Sequence, residues 1–162
     1  MRRIRVSRAV LPGNGGARRD QSRESEMSNQ VVARYRDGRV VKGTSLDLDP
    51  AKPVFHLRPQ GEKAIEIVLN DLKALFFVRS LDGDAGRNED YTPDPQDPRA
   101  RGSTLVRLAF EDGELMVGHT IRFPPVRQYF YITPVDTKSN NIRILINRDA
   151  VVSIEAAEVG AA

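Results

Sequence analysis

The chain has 162 residues, of which 40% are hydrophobic and 29% charged, as is usual for a soluble globular protein. The absence of cysteine excludes a disulfide framework and a thiolate zinc site, and it fits a reducing compartment such as the cytoplasm. No run approaches the roughly 20 apolar residues that a membrane-spanning helix needs, so we expect no membrane insertion.

The first residues carry the positive charge of the chain. Residues 1–26 hold seven arginines and three acids, a net charge of 7 − 3 = +4, which leaves 3 − 4 = −1 for residues 27–162. Residues 1–27 are rich in Arg, Gly and Ser without a periodic apolar face, which predicts a disordered basic tail. The remainder is close to neutral and lacks the broad positive charge typical of a nucleic-acid-binding domain.

Five short strands are predicted within residues 28–80, at about 31–36, 39–47, 53–58, 64–69 and 74–79. Asp37-Gly38 indicates a two-residue hairpin turn between the first two, because both central positions of such a turn favour φ > 0. Within the strands, apolar and polar residues alternate: Ile65 and Ile67 share one face and Glu66 lies on the other. This period of two is typical of half-buried strands, and no segment has a helical period.

Residues 81–103 are full of Gly, Asp and Pro and contain six acids and three bases, which predicts an extended, solvated linker. A second set of five strands is predicted within residues 104–157, at about 105–111, 114–122, 128–133, 141–146 and 151–155. Asp112-Gly113 again indicates a hairpin turn, and residues 158–162 form a C-terminal tail.

The two strand sets resemble each other in sequence. A shift of 75 residues aligns Val31–Pro59 with Val106–Pro134 without a gap and with seven of 29 positions identical. Two extra residues in the second set then give a shift of 77, which places Leu75 on Val152. The chain is therefore predicted to contain two copies of one small all-β module. Gly43 and Gly118, inside the second strand of each copy, indicate a bend that lets each sheet close into a barrel.

The motifs of the first copy resemble the first half of an Sm-like barrel: Asp37-Gly38-Arg39, Gly43, Asp47 and Phe55-His56-Leu57. The second copy repeats them as Asp112-Gly113, Gly118 and Phe130-Tyr131-Ile132. The resemblance implies an all-β fold of two tandem five-stranded small barrels with Sm/SH3-like architecture. The basic-Gly pair that RNA-binding Sm proteins carry between their last two strands is absent.

Residues 28–157 are also similar to an uncharacterised family of bacterial proteins that carry one or two such modules. The similarity rests on DGRVVKGTSLDLDPAKPVFHL and LKALFFVRSLDG. Members of that family start just before the first strand, which here corresponds to Met27. The resemblance supports the fold and brings no known activity.

No catalytic, cofactor-binding or metal-binding set of residues is predicted. His56 and His119 are 63 residues apart and do not match each other between the copies, so a surface or packing role is expected for both. Asp47 and Asp49 have the spacing of a carboxylate pair, but the second copy has Arg and Pro at the matching positions.

One protein-interaction surface is predicted from alternation. Phe76 and Val78 point away from the first barrel, and a bare apolar stripe beside a strand edge would invite aggregation. We therefore expect the stripe to contact the second barrel or another chain, with Tyr129 and Tyr131 as candidates to cover it.

These observations predict a non-enzymatic protein-interaction or adaptor module that binds itself or another protein. The alternative is a nucleic-acid- or nucleotide-binding Sm-like barrel protein that uses the basic tail and the first copy. Residues 31–80 favour the alternative with a net charge of 9 − 6 = +3, whereas residues 104–162 carry 6 − 7 = −1. We expect only weak nucleic-acid binding, and no small-molecule substrate is identified.

Overall fold

The structure is a computed structural model that describes residues 28–83 and 86–157, and the predicted tails at 1–27 and 158–162 lie outside them. The described chain contains ten strands: β1 (Asn29–Tyr35), β2 (Val40–Ser45), β3 (Val54–Leu57), β4 (Ile65–Val68), β5 (Leu72–Val78), β6 (Thr104–Phe110), β7 (Leu115–Thr120), β8 (Tyr129–Pro134), β9 (Asn141–Asn147) and β10 (Val151–Ala156). Short 3-10 turns lie at Leu69–Asp71, Pro98–Ala100 and Arg148–Ala150. The all-β prediction is confirmed, and no helix in the described chain could cross a membrane.

The two Asp-Gly sequences form hairpin turns of matching geometry. Gly38 has φ +98° and Gly113 has φ +91°, and no residue other than glycine has positive φ in the described chain. Tyr35 N–H donates to the Arg39 carbonyl at 2.8 Å, and Gly38 N–H donates to the Tyr35 carbonyl at 3.1 Å. The turn is therefore a three-residue loop with a glycine bulge, not the predicted two-residue turn with two positive φ angles.

Strand pairing does not produce two closed barrels. Eight strands form one antiparallel sheet in the order β10-β6-β7-β8-β9-β5-β1-β2, and β3 pairs only with β4 in a second sheet. In the part of the chain that the structure describes, a single bridge between Thr44 and Arg58 links the two sheets. The barrel prediction is wrong because β5 uses one edge to pair with β1 and the other to pair with β9, so no edge remains to close the first set of strands.

The first half (Asn29–Val78) and the second half (Thr104–Ala156) pair their first and last strands in matching registers. Val31 lies opposite Phe77 on β5, and Val106 lies opposite Ala156 on β10. On the first strands of the halves, the matching positions Val31 and Val106 differ by 106 − 31 = 75. On the last strands, the matching positions Phe77 and Ala156 differ by 156 − 77 = 79. The second half therefore contains 79 − 75 = 4 extra residues, not the two that the sequence alignment predicted.

The offset of 79 corrects the alignment of the last strands. Leu75 matches Ile154, not Val152 as predicted. Because side chains alternate with period two, an error of two residues leaves each side chain on its predicted face. The same offset places Lys73 on Val152, and each of these is the unpaired extra residue of a bulge in its strand.

Two apolar clusters fill the interior, and the sheet that carries β5 and β9 separates them. The first is built mainly from the first half: Val31, Ala33, Phe55, Leu57, Ile67, Leu69, Leu72, Leu75, Phe77 and Leu145. The second is built mainly from the second half: Ala74, Phe76, Val78, Val106, Leu108, Phe110, Met116, Phe130, Ile132, Ile144, Ile146 and Ala150. Each half thus contributes side chains to the cluster of the other.

The segment between the halves, predicted to be a solvated linker, is exposed at most of its described residues but is attached through two buried carboxylates, Asp97 and Asp136. Asp136, in the loop between β8 and β9, accepts hydrogen bonds from Asp90 N–H at 2.9 Å and from the Arg87 guanidinium at 2.5 Å. Asp97 accepts from Arg99 N–H at 2.9 Å, and the Arg99 guanidinium reaches the Val135 carbonyl at 3.1 Å. These bonds attach residues 86–103 to the second half.

Replacing Asp136 by asparagine is expected to lower stability at neutral pH and to have little effect in strong acid. The Asp90 N–H first, and the Arg87 guanidinium next, outweigh burial and lower the pKa of Asp136 from 3.8 to about 2. Since the folded pKa lies below the unfolded one, this stability is present above about pH 4 and disappears as the pH falls towards 2. The shift corresponds to at most about 2 kcal/mol at pH 7.

Urea denaturation at pH 7 and near pH 2 measures this difference. Asp82→Asn, at an exposed acid of the same segment, is the control and should change stability little at either pH. An Asp136→Asn deficit that is the same at both pH values would contradict a charge-dependent role.

Candidate functional site

The two halves meet where β5 pairs with β9, a contact we call the joint. Phe76 and Val78, predicted to belong to an interaction surface, lie on β5 and are only 6% and 5% exposed. Both side chains enter the cluster of the second half, and Phe76 lies directly opposite Ile144. The first half thus buries its outward stripe inside the second.

Tyr129 and Tyr131 lie on the opposite face of the joint. Both pack against the cluster of the first half, and the ring of Tyr131 is 5.9 Å from that of Phe77. The Arg143 guanidinium stacks on both rings, at 4.4 Å from Phe77 and 4.6 Å from Tyr131. Burial raises the pKa of both tyrosines, so neither phenol ionises near neutral pH. The tyrosines do not cover Phe76, because they pack on the other side of the sheet.

A buried lysine joins the halves on the face that carries Phe76. Lys73, whose side chain is 4% exposed, donates to Asp112 at 2.6 Å and to Glu114, both on the β6–β7 hairpin. Its ammonium also lies 4.7 Å above the ring of Phe110. Arg34 forms a further ion pair with Glu114 at 3.3 Å. The hydrogen bond from Lys73 first, and the one from the Glu114 N–H next, lower the pKa of Asp112, so the carboxylate stays charged at neutral pH.

A further ion pair links matching positions of the two halves. Arg36 donates to Glu111 at 2.9 and 3.1 Å, and these residues are 75 positions apart, as the sequence alignment places them. The backbone N–H groups of the two residues also bond at matching positions. Arg36 N–H donates to the Asp71 carbonyl and Glu111 N–H donates to the Ala150 carbonyl, both at 3.0 Å. The opposite charges at matching positions were visible in the sequence.

An open groove lies between the halves, and we call it the tyrosine groove. Its volume is about 640 Å³. One wall is Asp49, Pro50 and Ala51 of the first half; the other is residues 120–122 and 125–131 of the second, which include Tyr129 and Tyr131. The sequence prediction therefore identified two residues of this groove, although it assigned them to a different contact.

The loop between β7 and β8 provides the exposed apolar residues of the groove. Ile121 is 88% exposed and Val126 is 67% exposed, and both line the groove. Arg122 and Arg127 follow them in the same wall. Sequence reasoning missed this loop. The signal that could have found it is apolar residues alternating with Arg beside Pro124, in a segment too short to bury them.

The histidines are placed differently in the two halves. His56 Nδ1 lies 2.7 Å from Asp47 at the surface, and the Ser45 hydroxyl lies 3.4 Å from the same carboxylate. This geometry does not match a catalytic triad, in which the hydroxyl bonds to the imidazole. His119 is 4% exposed, and burial lowers its pKa.

Within residues 28–83 and 86–157, no cluster of His, Asp and Glu is arranged to hold a metal ion. The comparisons with known proteins found no match among curated proteins or solved structures. A family model described as a family of unknown function (DUF6982) matches residues 27–158. The expected relationship to an uncharacterised family is confirmed. Because the match covers most of the sequence, including both halves, the chain belongs to the DUF6982 family of unknown function.

Proposed function

We propose that the protein is a non-enzymatic protein-interaction module, an adaptor whose binding surface is shared by two Sm- or SH3-like five-stranded repeats. The observation that supports this proposal best is the tyrosine groove, with an almost fully exposed Ile121 in its wall. An exposed apolar patch with a polar rim is typical of a protein-binding surface.

The repeats are inferred from features that recur in both halves. Each has the hairpin with a glycine bulge, the same pairing of its first and last strands, and a bulge at Lys73 or Val152. Each also has a 3-10 turn just before its last strand. Independent elements would not be expected to share a register and a bulge.

The chemistry of the groove suggests what kind of segment it binds. Ile121 and Val126 offer apolar contacts, and Tyr131 offers an aromatic surface already held by Arg143. Arg122 and Arg127 place two positive charges in the same wall. The complementary partner is a protein segment with apolar side chains flanked by carboxylates.

The alternative function is binding of nucleic acid or a nucleotide, and the arginines of the groove also favour it. Arg122 and Arg127 lie in the same groove as Tyr131, and phosphate contacts combined with aromatic stacking are the mode of single-stranded nucleic-acid binding. Binding through phosphates weakens steeply as the salt concentration rises. Binding carried mainly by apolar contacts weakens much less, so the two functions differ in how steeply salt weakens them.

Capture from cell lysate with the full chain as bait tests the proposal, with nuclease treatment and raised salt as separate arms. We expect a retained protein that survives both treatments and is lost with Ile121→Asp, because the aspartate puts a charge in the apolar wall. Ile142→Asp is the control, since Ile142 is also exposed, at 46%, but does not line the groove. Capture that disappears with nuclease, or that Ile121→Asp leaves unchanged, would refute the groove as a protein site.

A further inference from the structure

The strand pairing forms one continuous ribbon with two open ends. When the bridge between Thr44 and Arg58 is included, the order of neighbours is β10-β6-β7-β8-β9-β5-β1-β2-β3-β4. In each half the order is the same: last strand, first, second, third, fourth. The joint is the contact of a fourth strand, β9, with a last strand, β5.

The two open ends are the counterparts of the two strands in the joint. β10 is the last strand of the second half, and β4 is the fourth strand of the first half. Among the described residues, each has one paired neighbour, β6 for β10 and β3 for β4, and no described strand pairs with the other edge of either. A head-to-tail contact leaves one unused surface at each end of the molecule, and the two surfaces are complementary. Here they are the edge of β10, which matches that of β5, and the edge of β4, which matches that of β9.

The bulge residues of the two last strands differ in exposure: the one on β5 is covered by the other half, and the one on β10 is exposed. Lys73 is 3% exposed because the β6–β7 hairpin covers it with Asp112 and Glu114. Val152, at the matching position, is 67% exposed. An exposed valine at an unpaired edge is uncommon in proteins that protect their edges.

A groove along β10, which we call the β10 groove, matches a space that is filled in the first half. It has a volume of about 680 Å³ and is lined by Phe123 of the β7–β8 loop and by residues 151–154. In the first half, the residue that matches Phe123 is Leu48, which packs against the first cluster, as do Tyr129 and Tyr131 of the second half. Strands of the second half therefore occupy the space beside β5 of the first half, whereas the matching space beside β10 is open.

The open edges themselves are suited to pairing. Ala157 N–H donates to the Leu105 carbonyl at 2.8 Å, so by alternation Ile154 and Ala156 turn their backbone groups to the free edge. On β4, Ile65 is 39% exposed and Val68 is 38% exposed. β4 carries no lysine, proline or bulge to block another strand.

We propose that a second copy of this chain docks its β4 antiparallel on β10 and its β3 in the β10 groove, repeating the joint between molecules. In the register of the joint, where Phe76 lies opposite Ile144, Glu155 of one chain would lie opposite Ile65 of the next. The inference rests on the proposed function, because it names a second copy as a protein partner.

The contact between chains is weaker than the joint, and the sequence shows why. Glu155 occupies the position of Phe76, so a carboxylate replaces a buried ring at the centre of the contact. Opposite net charges of the halves, +3 for residues 31–80 and −1 for residues 104–162, favour head-to-tail encounter. The result is reversible, concentration-dependent association.

Sedimentation velocity of the full chain measures this association. The 18.1 kDa chain should form larger species as its concentration rises. Glu155→Phe should tighten association by about tenfold or more, since it restores the apolar residue that the joint has. Ile65→Glu should abolish association, because it places two like charges opposite each other, and adding Glu155→Lys to that variant should restore it.

Ile142→Glu is the control, because Ile142 is exposed on β9, a strand paired on both edges. It should associate as the unmodified chain does. A chain that stays monomeric even with Glu155→Phe, or equal effects of Ile65→Glu and Ile142→Glu, would overturn the head-to-tail contact. Either result would leave the tyrosine groove as a protein site, since loss of capture by Ile121→Asp is measured separately.

Discussion

Replacing Phe76 by serine is expected to lower the free energy of unfolding by about 3–5 kcal/mol, as for other buried aromatic residues that are truncated. The ring is 6% exposed, packs in the cluster of the second half and stacks with the Arg34 guanidinium at 5.3 Å. Serine would leave a cavity and a hydroxyl facing apolar side chains. Because Phe76 belongs to one half and packs in the other, both halves should lose stability together.

Thermal and urea denaturation, with probes in each half, measure this effect. Ile142→Ser is the matched control, since Ile142 lies on the neighbouring strand of the joint but is 46% exposed. It should cost much less than Phe76→Ser. If Phe76→Ser destabilised only the second half, or changed stability no more than Ile142→Ser, the joint would not hold the two halves as one folding unit.

Replacing Gly43 by alanine is expected to cost about 3 kcal/mol or more, at the upper end of what overpacking a core costs. A Cβ at this position would lie 2.2 Å from the carbonyl oxygen of Arg58, which is backbone and cannot rotate away. The clash falls at the bridge between Thr44 and Arg58, the only link between strands of the two sheets in the described chain. The variant should therefore loosen β3 and β4 from the main sheet.

Gly118→Ala provides a graded comparison for the same measurement. A Cβ there would lie 2.7 Å from the Thr133 carbonyl oxygen, a less severe overlap at the matching position of the second half. Urea denaturation should show a smaller loss for Gly118→Ala, and hydrogen exchange should show faster opening of residues 54–68 only in Gly43→Ala. A Gly43→Ala chain as stable as the unmodified one would contradict the close approach of the two backbones.

Local features of the fold could be predicted from the sequence because they depend on neighbouring residues. The hairpins follow from Asp37-Gly38 and Asp112-Gly113, and the faces of β5 follow from alternation, so Phe76 was assigned to the outward side. Alternation has a period of two, and for this reason it could not detect that the alignment of the last strands was two residues out.

Strand pairing over long distances could not be predicted in the same way. Each of the two strand sets alone has the pattern of a closing sheet, and nothing in the alternation of β5 reveals that its second edge pairs with β9. The burial of every residue of β5 is the consequence, including Lys73 at 3% exposure. A lysine inside an apolar run was the one indication that this strand faces charged groups of another element.

The candidate site was predicted only in part, for a similar reason. Tyr129 and Tyr131 were identified as outward-facing, but the groove they line depends on where Pro50 of the first half comes to lie. Ile121 belongs to a loop, and loop residues have no periodicity that reveals their exposure.

Titration of labelled single-stranded RNA with the full chain and with a chain starting at Met27 measures whether residues 27–162 recognise nucleic acid. Residues 27–162 carry a net charge of −1, so we predict weak binding by the full chain at physiological salt and almost none without residues 1–26. Sub-micromolar binding at physiological salt that persists in the chain starting at Met27 would contradict it.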